Sequence, residues 1–279
     1  MDLVERYLHD LMARGMSERT IQAYSWALKK VFLPWLKAHR LEPLSPMNGV
    51  DAQRFRSEVM DTKAPATANL ILSVVRGFYD FLLEFGLVTH NPFASKRLRV
   101  KQGQGLPRFL KDWELARVFE WLSRNAPPHI LLAFKLMLHA GLRHSEVSSL
   151  TPESIVTKEV EGKEVVLLSI RGKGDKERLA PVLDVSTAKE LLKYVKTKPG
   201  RLFPSPATLR WWAARVAKET GIDFSTHRLR HTFGTRTLAE GAPLDVLQDF
   251  MGHASITTTR RYAQTLAKAR LEAIAKLVR

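Results

Sequence analysis

Along the first third of the chain, apolar positions recur every three or four residues, the spacing of one face of an α-helix. Leu3, Tyr7, Leu8, Leu11 and Met12 form one such stripe, and Gly15 follows where a helix can stop. Ser17 stands where an N-cap belongs, ahead of a second stripe through Tyr24, Leu28, Val31 and Phe32. Pro34 bends or restarts that helix. A third, short helix is expected from about Asp51. A fourth should run from Thr67 to Phe85, with Leu70, Val74, Phe78, Phe81 and Leu82 turned inward. Four helices can close a small core, so residues 1–95 are expected to form a helical domain of their own.

The periodicity then breaks. Residues 96–107 read as a basic linker, and Lys96, Arg97, Arg99, Lys101, Arg108 and Lys111 follow one another with no acid among them. A charge run is ordinarily a solvated connector. In a chain already this basic, it is better placed along a phosphate backbone.

Residues 108–279 read as a second domain. Asp112 is expected to cap a helix carrying Trp113, Leu115, Val118 and Phe119, and Ile130–Ala140 is apolar nearly all round, as a buried central helix is. Residues 164–182 switch to β-rich runs around Gly172-Lys173-Gly174-Asp175, a hairpin signal. Helices resume at about 186–196, 206–219, 227–239, 243–251 and 256–276, with Gly221 and Gly252 in C-cap positions. The fold class expected is mainly α with a small β-sheet or hairpin in the second domain.

Composition changes the picture in one respect. Of 279 residues, 45% are hydrophobic and 26% charged, an ordinary globular balance, but 44 Lys and Arg against 28 acids leave a formal charge of +16. That excess speaks of partners rather than fold, and a nucleic acid is the natural polyanion. No apolar run looks long enough to span a bilayer, and no membrane partner is expected. The absence of cysteine excludes disulfides, thiol nucleophiles and thiolate metal sites, and fits a cytoplasmic protein.

Reactive side chains gather in four segments. Arg143 and Glu146 stand three apart in Gly-Leu-Arg-His-Ser-Glu, which alone would be an ordinary surface ion pair. Lys173 occupies the hairpin tip between two glycines. In His227-Arg228-Leu229-Arg230-His231 the two histidines have a zinc-ligand spacing, but Arg230 shares their face, so metal binding is rejected. His253 follows Gly252, and Tyr262 lies nine positions on (262 − 253). A lone tyrosine there is usually a packing residue. Together these residues suit phosphoryl transfer without metal or other cofactor. Arginine forks match the charge building on a phosphodiester's oxygens, a lysine can protonate a departing alkoxide, and a phenol needs a base or cations to attack.

These segments, GLRHSE, RGKGDKER, HRLRHTFGT and MGHASITTTRRY, resemble the successive signatures of the tyrosine recombinases, and more closely their Xer-type members. SERTIQAYSWALKKVFLPWL and LILSVVRGFYDFLLEFGLVTHNPF resemble that family's helical, SAM-like core-binding domain. The resemblance implies a two-domain, C-shaped clamp on double-stranded DNA carrying a specific recombination site. It implies Arg143 and Arg230 as phosphate clamps, His253 as a further donor, and Tyr262 as the nucleophile that forms a 3′-phosphotyrosyl link. Lys173 would be the general acid, His227 the base for Tyr262, and Glu146 a residue orienting its neighbours. The family's order of events requires neither ATP nor metal. Met251, where Leu is common, and Gln264, where His is frequent, are departures that touch no chemical role. His139, His144 and His231 are read as structural. The amphipathic segment carrying Leu266, Leu271, Ile274 and Leu277 would dock on a neighbouring protomer, giving a homo-tetramer on two sites, with an accessory translocase as a further partner and the nucleoid as the place of action.

Three other readings share some of these features. A phage or mobile-element integrase keeps the same chemistry, but the chain starts almost directly with the helical domain, which leaves no room for an arm-binding module and tilts towards Xer-like dimer resolution. A type IB-like topoisomerase would nick and reseal any supercoiled DNA. A non-catalytic DNA-binding relative should have lost some of the six reactive residues, and all six are present.

Overall fold

The computed structural model describes residues 2–101, 108–171, 177–252 and Ala263. The chain divides into two compact units, Met1–Gln104 and Gly105–Arg279.

The first unit is helical. Helix α1 (Leu3–Ala13) buries Val4, Tyr7, Leu8 and Leu11. Ser17 does cap α2 (Glu18–Ala27), its Oγ accepting from the Thr20 N–H at 3.3 Å. The second stripe continues through a π-helical stretch, Leu28–Phe32, before Pro34 opens α3 (Leu33–Ala38) in its first turn. Helix α4 (Gly49–Thr62) is 14 residues long rather than short, started by the reciprocal cap between Asn48 and Asp51. Helix α5 (Pro65–Glu84) is the unit's core element, with Ile71, Val74, Val75, Phe78 and Leu82 fully buried.

Two inward assignments fail. Met12 is 53% exposed and Leu70 39%, because each lies one position off the stripe that turns inward, next to Leu11 and Ile71. The bilayer argument also needs correction. Within its 20 residues α5 holds an 18-residue stretch of mean hydropathy 1.3, long and apolar enough by those measures to cross a membrane. Its apolar face is instead consumed by the unit's core. Asn69 on α5 holds the backbone of Val100 on both sides, accepting from its N–H at 2.9 Å and donating to its carbonyl at 3.0 Å. Arg56 Nε donates to the Leu98 carbonyl at 3.0 Å. The start of the basic segment is therefore docked through buried Leu98 and Val100, while Lys96, Arg97, Arg99 and Lys101 remain exposed.

The second unit surrounds α7 (Pro128–His139), whose Ile130, Leu132, Ala133, Phe134, Leu136 and Met137 are at most 1% exposed. Helix α6 (Asp112–Asn125) is capped by Lys111, whose N–H donates to Glu114 Oε2 at 2.7 Å, so Asp112 is the first helical residue and not the cap. Short α8 (His144–Ser149) leads into an antiparallel sheet of β1 (Ile155–Val160), β2 (Lys163–Arg171) and β3 (Glu177–Pro181), ordered β1-β2-β3. Strand β1 was not anticipated. Four of its six residues are exposed, so it lacks an apolar alternation to read. Its turn into β2, Glu161-Gly162, has two positive φ angles, 50° and 73°, as a type I′ hairpin needs.

Helices α9 (Val185–Val195), α10 (Pro206–Thr220), α11 (Thr226–Ala239) and α12 (Leu244–Met251) follow. Gly221 and Gly252 terminate α10 and α12 in left-handed conformation, as expected. The helix expected at 256–276 lies outside the described residues apart from Ala263.

Candidate active site

Three chain segments far apart in sequence meet around one carboxylate. Gly141, at φ +64°, turns the chain out of α7 so that Arg143 falls at the N-cap of α8 and Glu146 at its third position. An acidic side chain there can satisfy the unpaired N–H groups of the first turn. Glu146 Oε2 accepts from the Arg143 N–H at 2.8 Å, and Oε1 accepts from Arg143 Nη1 at 2.7 Å. The carboxylate is only 8% exposed, a costly place for a charge unless it is paired.

Two more guanidiniums supply that pairing. Arg178 on β3 donates through Nη2 to Glu146 Oε2 at 3.0 Å. Arg230 on α11, 4% exposed, places Nη1 3.7 Å from the same oxygen and donates to the carbonyls of Gly141 and Met251. Burial alone would raise the pKa of Glu146. The hydrogen bond and charge of Arg178, the Arg143 N–H and the charge of Arg230 outweigh it, leaving Glu146 below its ordinary value and ionised. Three cations against one anion leave the cluster at +2 (3 − 1), with Arg143, at 37% side-chain exposure, as its solvent-facing member.

His227 lies in the first turn of α11, which Ser225 caps through the Arg228 N–H. Desolvation, followed by the charges of Arg230 and Arg143, lowers its pKa below the ordinary histidine value. A helix N-terminus acts in the same direction. The imidazole is therefore neutral at pH 7 and able to accept a proton. Its ring stands edge to face with that of His144, 5.9 Å between centroids, and His144 Nε2 in turn takes Arg210 Nη1 at 3.2 Å.

The first arginine of the same motif serves packing. Arg228, whose side chain is 12% exposed, donates to the Phe109 carbonyl at 3.1 Å and lies 3.6 Å from Glu114, while Thr232 Oγ1 accepts from the Leu110 N–H at 2.8 Å. These contacts pin α11 to the segment that leads into α6.

Among the residues singled out from sequence, Arg143, Glu146, Arg230 and His227 are thus brought together. Lys173, His253 and Tyr262 lie outside the described residues. The described chain flanks each of them. Strands β2 and β3 end and begin on either side of Lys173, and α12 with Gly252 ends immediately before His253. Sequence reasoning missed Arg178 and the neighbourly position of His144. The signal for Arg178 was available: it shares a strand face with fully buried Ala180, an unusual setting for a charge. Arg108 and Lys111 are exposed, and Arg108 is within 3.6 Å of Asp223. Among the described residues no three of His, Asp or Glu converge as a metal site.

Three guanidiniums organised by one carboxylate beside a neutral imidazole can bind an anion and accept a proton at the same place. The model of the phage integrase family matches residues 108–269, and the N-terminal SAM-like domain of phage integrases matches residues 4–86. The chain belongs to the phage integrase family, that of the tyrosine recombinases. It is similar to tyrosine recombinase XerD of Lacticaseibacillus casei, 31% identical over 281 positions that cover 93% of this chain and 92% of that protein. It is also similar to XerA of Pyrococcus horikoshii, 28% identical across 99% of this chain and 93% of that one. In fold it matches XerH site-specific recombinase bound to a palindromic difH substrate in a post-cleavage complex, with a TM-score of 0.75, 22% identity and coverage of 94% and 81%. A lambda integrase dimer bound to a COC′ core site gives 0.72, 19% identity and 93% of each chain.

Proposed function

We propose that this protein is a site-specific DNA recombinase that cuts and rejoins strands through Tyr262. The observation that carries this reading is the convergence of Arg143 and Arg230 on Glu146 beside a neutral His227. The two arginines hold the non-bridging oxygens of the scissile phosphate, and His253 adds a donor. Preorganised donors of this kind are worth about 3–4 kcal/mol each where charge develops. His227 accepts the Tyr262 proton, and the phenolate attacks phosphorus to form a 3′-phosphotyrosyl bond. Lys173 protonates the departing 5′-oxygen. One phosphoester replaces another, so the reverse attack by a 5′-hydroxyl reseals DNA without ATP or metal.

The exposed Lys96, Arg97, Arg99, Lys101, Arg108 and Lys111 lie along the DNA backbone, and the active assembly is a homo-tetramer on two sites joined through the C-terminal segment. Resolution of chromosome or plasmid dimers, with an accessory translocase and on the nucleoid, is favoured over integration of a mobile element. The support for that choice is the similarity to Xer-named relatives over nearly the whole of both chains. A plasmid carrying two copies of a site selected from random duplex by the protein tests this. Separation into two circles supports recombination, whereas relaxation of plasmids lacking the site would favour a topoisomerase.

A further inference from the structure

The proposed chemistry leaves Arg178 without a task, although its side chain is 13% exposed and its Nε and Nη2 both donate within the site. From β3, its guanidinium reaches two other segments. Nη2 donates to Glu146 on α8 at 3.0 Å, and Nε donates to the Phe250 carbonyl in the last turn of α12 at 3.0 Å. The side chain also lies flat against Gly252: a Cβ there would come within 2.9 Å of Arg178 Cδ and Nε. The last carbonyls of a helix have no N–H partners within it, so what caps them decides where the following chain goes. Here the carbonyl of Phe250 is capped by Arg178 and that of Met251 by Arg230. Both caps are the cations that pair with Glu146, the carboxylate that also holds Arg143.

We propose that Arg178 is a positioning residue that ties the end of α12, and with it the chain leading to His253 and Tyr262, to the carboxylate that organises the phosphate-clamping arginines. The proposal rests on the recombinase reading above. It makes Arg178 matter to the chemical step and not to DNA affinity, since its Nε and Nη2 are committed to Phe250 and Glu146. It also distinguishes Arg178 from Lys173, five positions earlier (178 − 173) in the sequence, which acts on the leaving group.

The test is single-turnover formation of the covalent adduct at saturating protein, on nicked duplex carrying a site selected from a random pool by the wild type. The variants are Arg178→Lys and Arg178→Met, each with its duplex affinity and unfolding midpoint. Lysine keeps Glu146 paired with a cation but lacks the fork that reaches Glu146 and Phe250 at once. A second duplex carries sulfur in place of the scissile 5′-oxygen. Tyrosine oxygen still bonds to phosphorus and the P–S bond breaks, but a thiolate, whose acid has a pKa of about 8.5, leaves without a proton donor.

Both variants should lose about 10²-fold in adduct rate, the scale of a small misplacement of reacting groups. Affinity should stay within about threefold, and sulfur should restore Lys173→Ala but neither Arg178 variant. An Arg178→Lys rate within about threefold of wild type overturns the proposal. So does unfolding of Arg178→Lys below the assay temperature, which would make Arg178 a fold-stabilising residue, or rescue by sulfur, which would place its effect on the hairpin. Failure of the wild type itself to form a Tyr262-dependent adduct would sink the recombinase reading instead.

Discussion

The ring of Phe233 fills the space that a side chain at Gly141 would need. A Cβ at Gly141 would clash with Phe233 Cδ1 and Cε1, and the backbone there has φ +64°. This contact sets α11 against the turn before α8, and the Gly141 carbonyl receives Arg230. Gly141→Ala therefore combines a strained backbone with overpacking, each costing on the order of 1–3 kcal/mol. The unfolding midpoint should fall by several degrees, at roughly 2–4 °C per kcal/mol for a domain of this size. Adduct formation should fall with it even where the protein remains folded. An unchanged midpoint would mean that Phe233 can move aside without cost.

Glu146 should give stability a particular pH dependence. Its folded pKa lies below the ordinary 4.5, so it contributes stability above that value, which is lost as pH falls through the folded pKa. Glu146→Gln removes the contribution and leaves Arg178 and Arg230 without their anion, at a cost of about 3 kcal/mol at pH 7. Urea unfolding at pH 7 and pH 4 should show the gap between wild type and variant narrowing at the lower pH. A gap of constant size would contradict the ionised carboxylate.

His227 should set the acid limb of the cleavage profile. Because desolvation and the two nearby arginines hold its pKa below 6.5, the base stays neutral through neutral pH. The single-turnover rate should be flat near pH 7 and decline only on acidification below the ordinary histidine range. His227→Gln should lower the plateau about 10²-fold or more, the usual contribution of a positioned base, and abolish that limb. An unaltered profile in the variant would assign the base elsewhere.

The exposed basic residues should act on affinity alone. Neutralising Lys96, Arg97 and Arg99 together should lower the slope of log affinity against log salt by about 2–3, given roughly 0.9 per phosphate contact, with cleavage at saturating protein unchanged. If the slope does not move, this segment does not follow the backbone.

Much of the fold was legible because the local signals agreed with the tertiary structure. Ser17 caps, Gly221 and Gly252 stop helices, and the apolar run of α7 is the centre of its unit. What stayed hidden depends on partners distant in sequence. Leu70 and Ile71 are equally apolar, and only the packing of α5 decides which turns inward. Lys111 displaces Asp112 as cap because Glu114 reaches back to its N–H. In the site, Arg143, Arg230 and His227 stood out by residue type and spacing. Arg178 did not, since its importance comes from meeting Glu146, 32 positions away, and Phe250, 72 positions away.

The central claim is that Tyr262 becomes covalently joined to DNA. The direct measurement is denaturing electrophoresis of wild type and Tyr262→Phe after incubation with nicked duplex carrying the selected site, followed by peptide mass mapping of the adduct. The account predicts a denaturation-resistant adduct through the 3′-phosphate at Tyr262, formed without metal or ATP and absent from Tyr262→Phe. An adduct of undiminished yield in Tyr262→Phe, or one mapped to another residue, would contradict it.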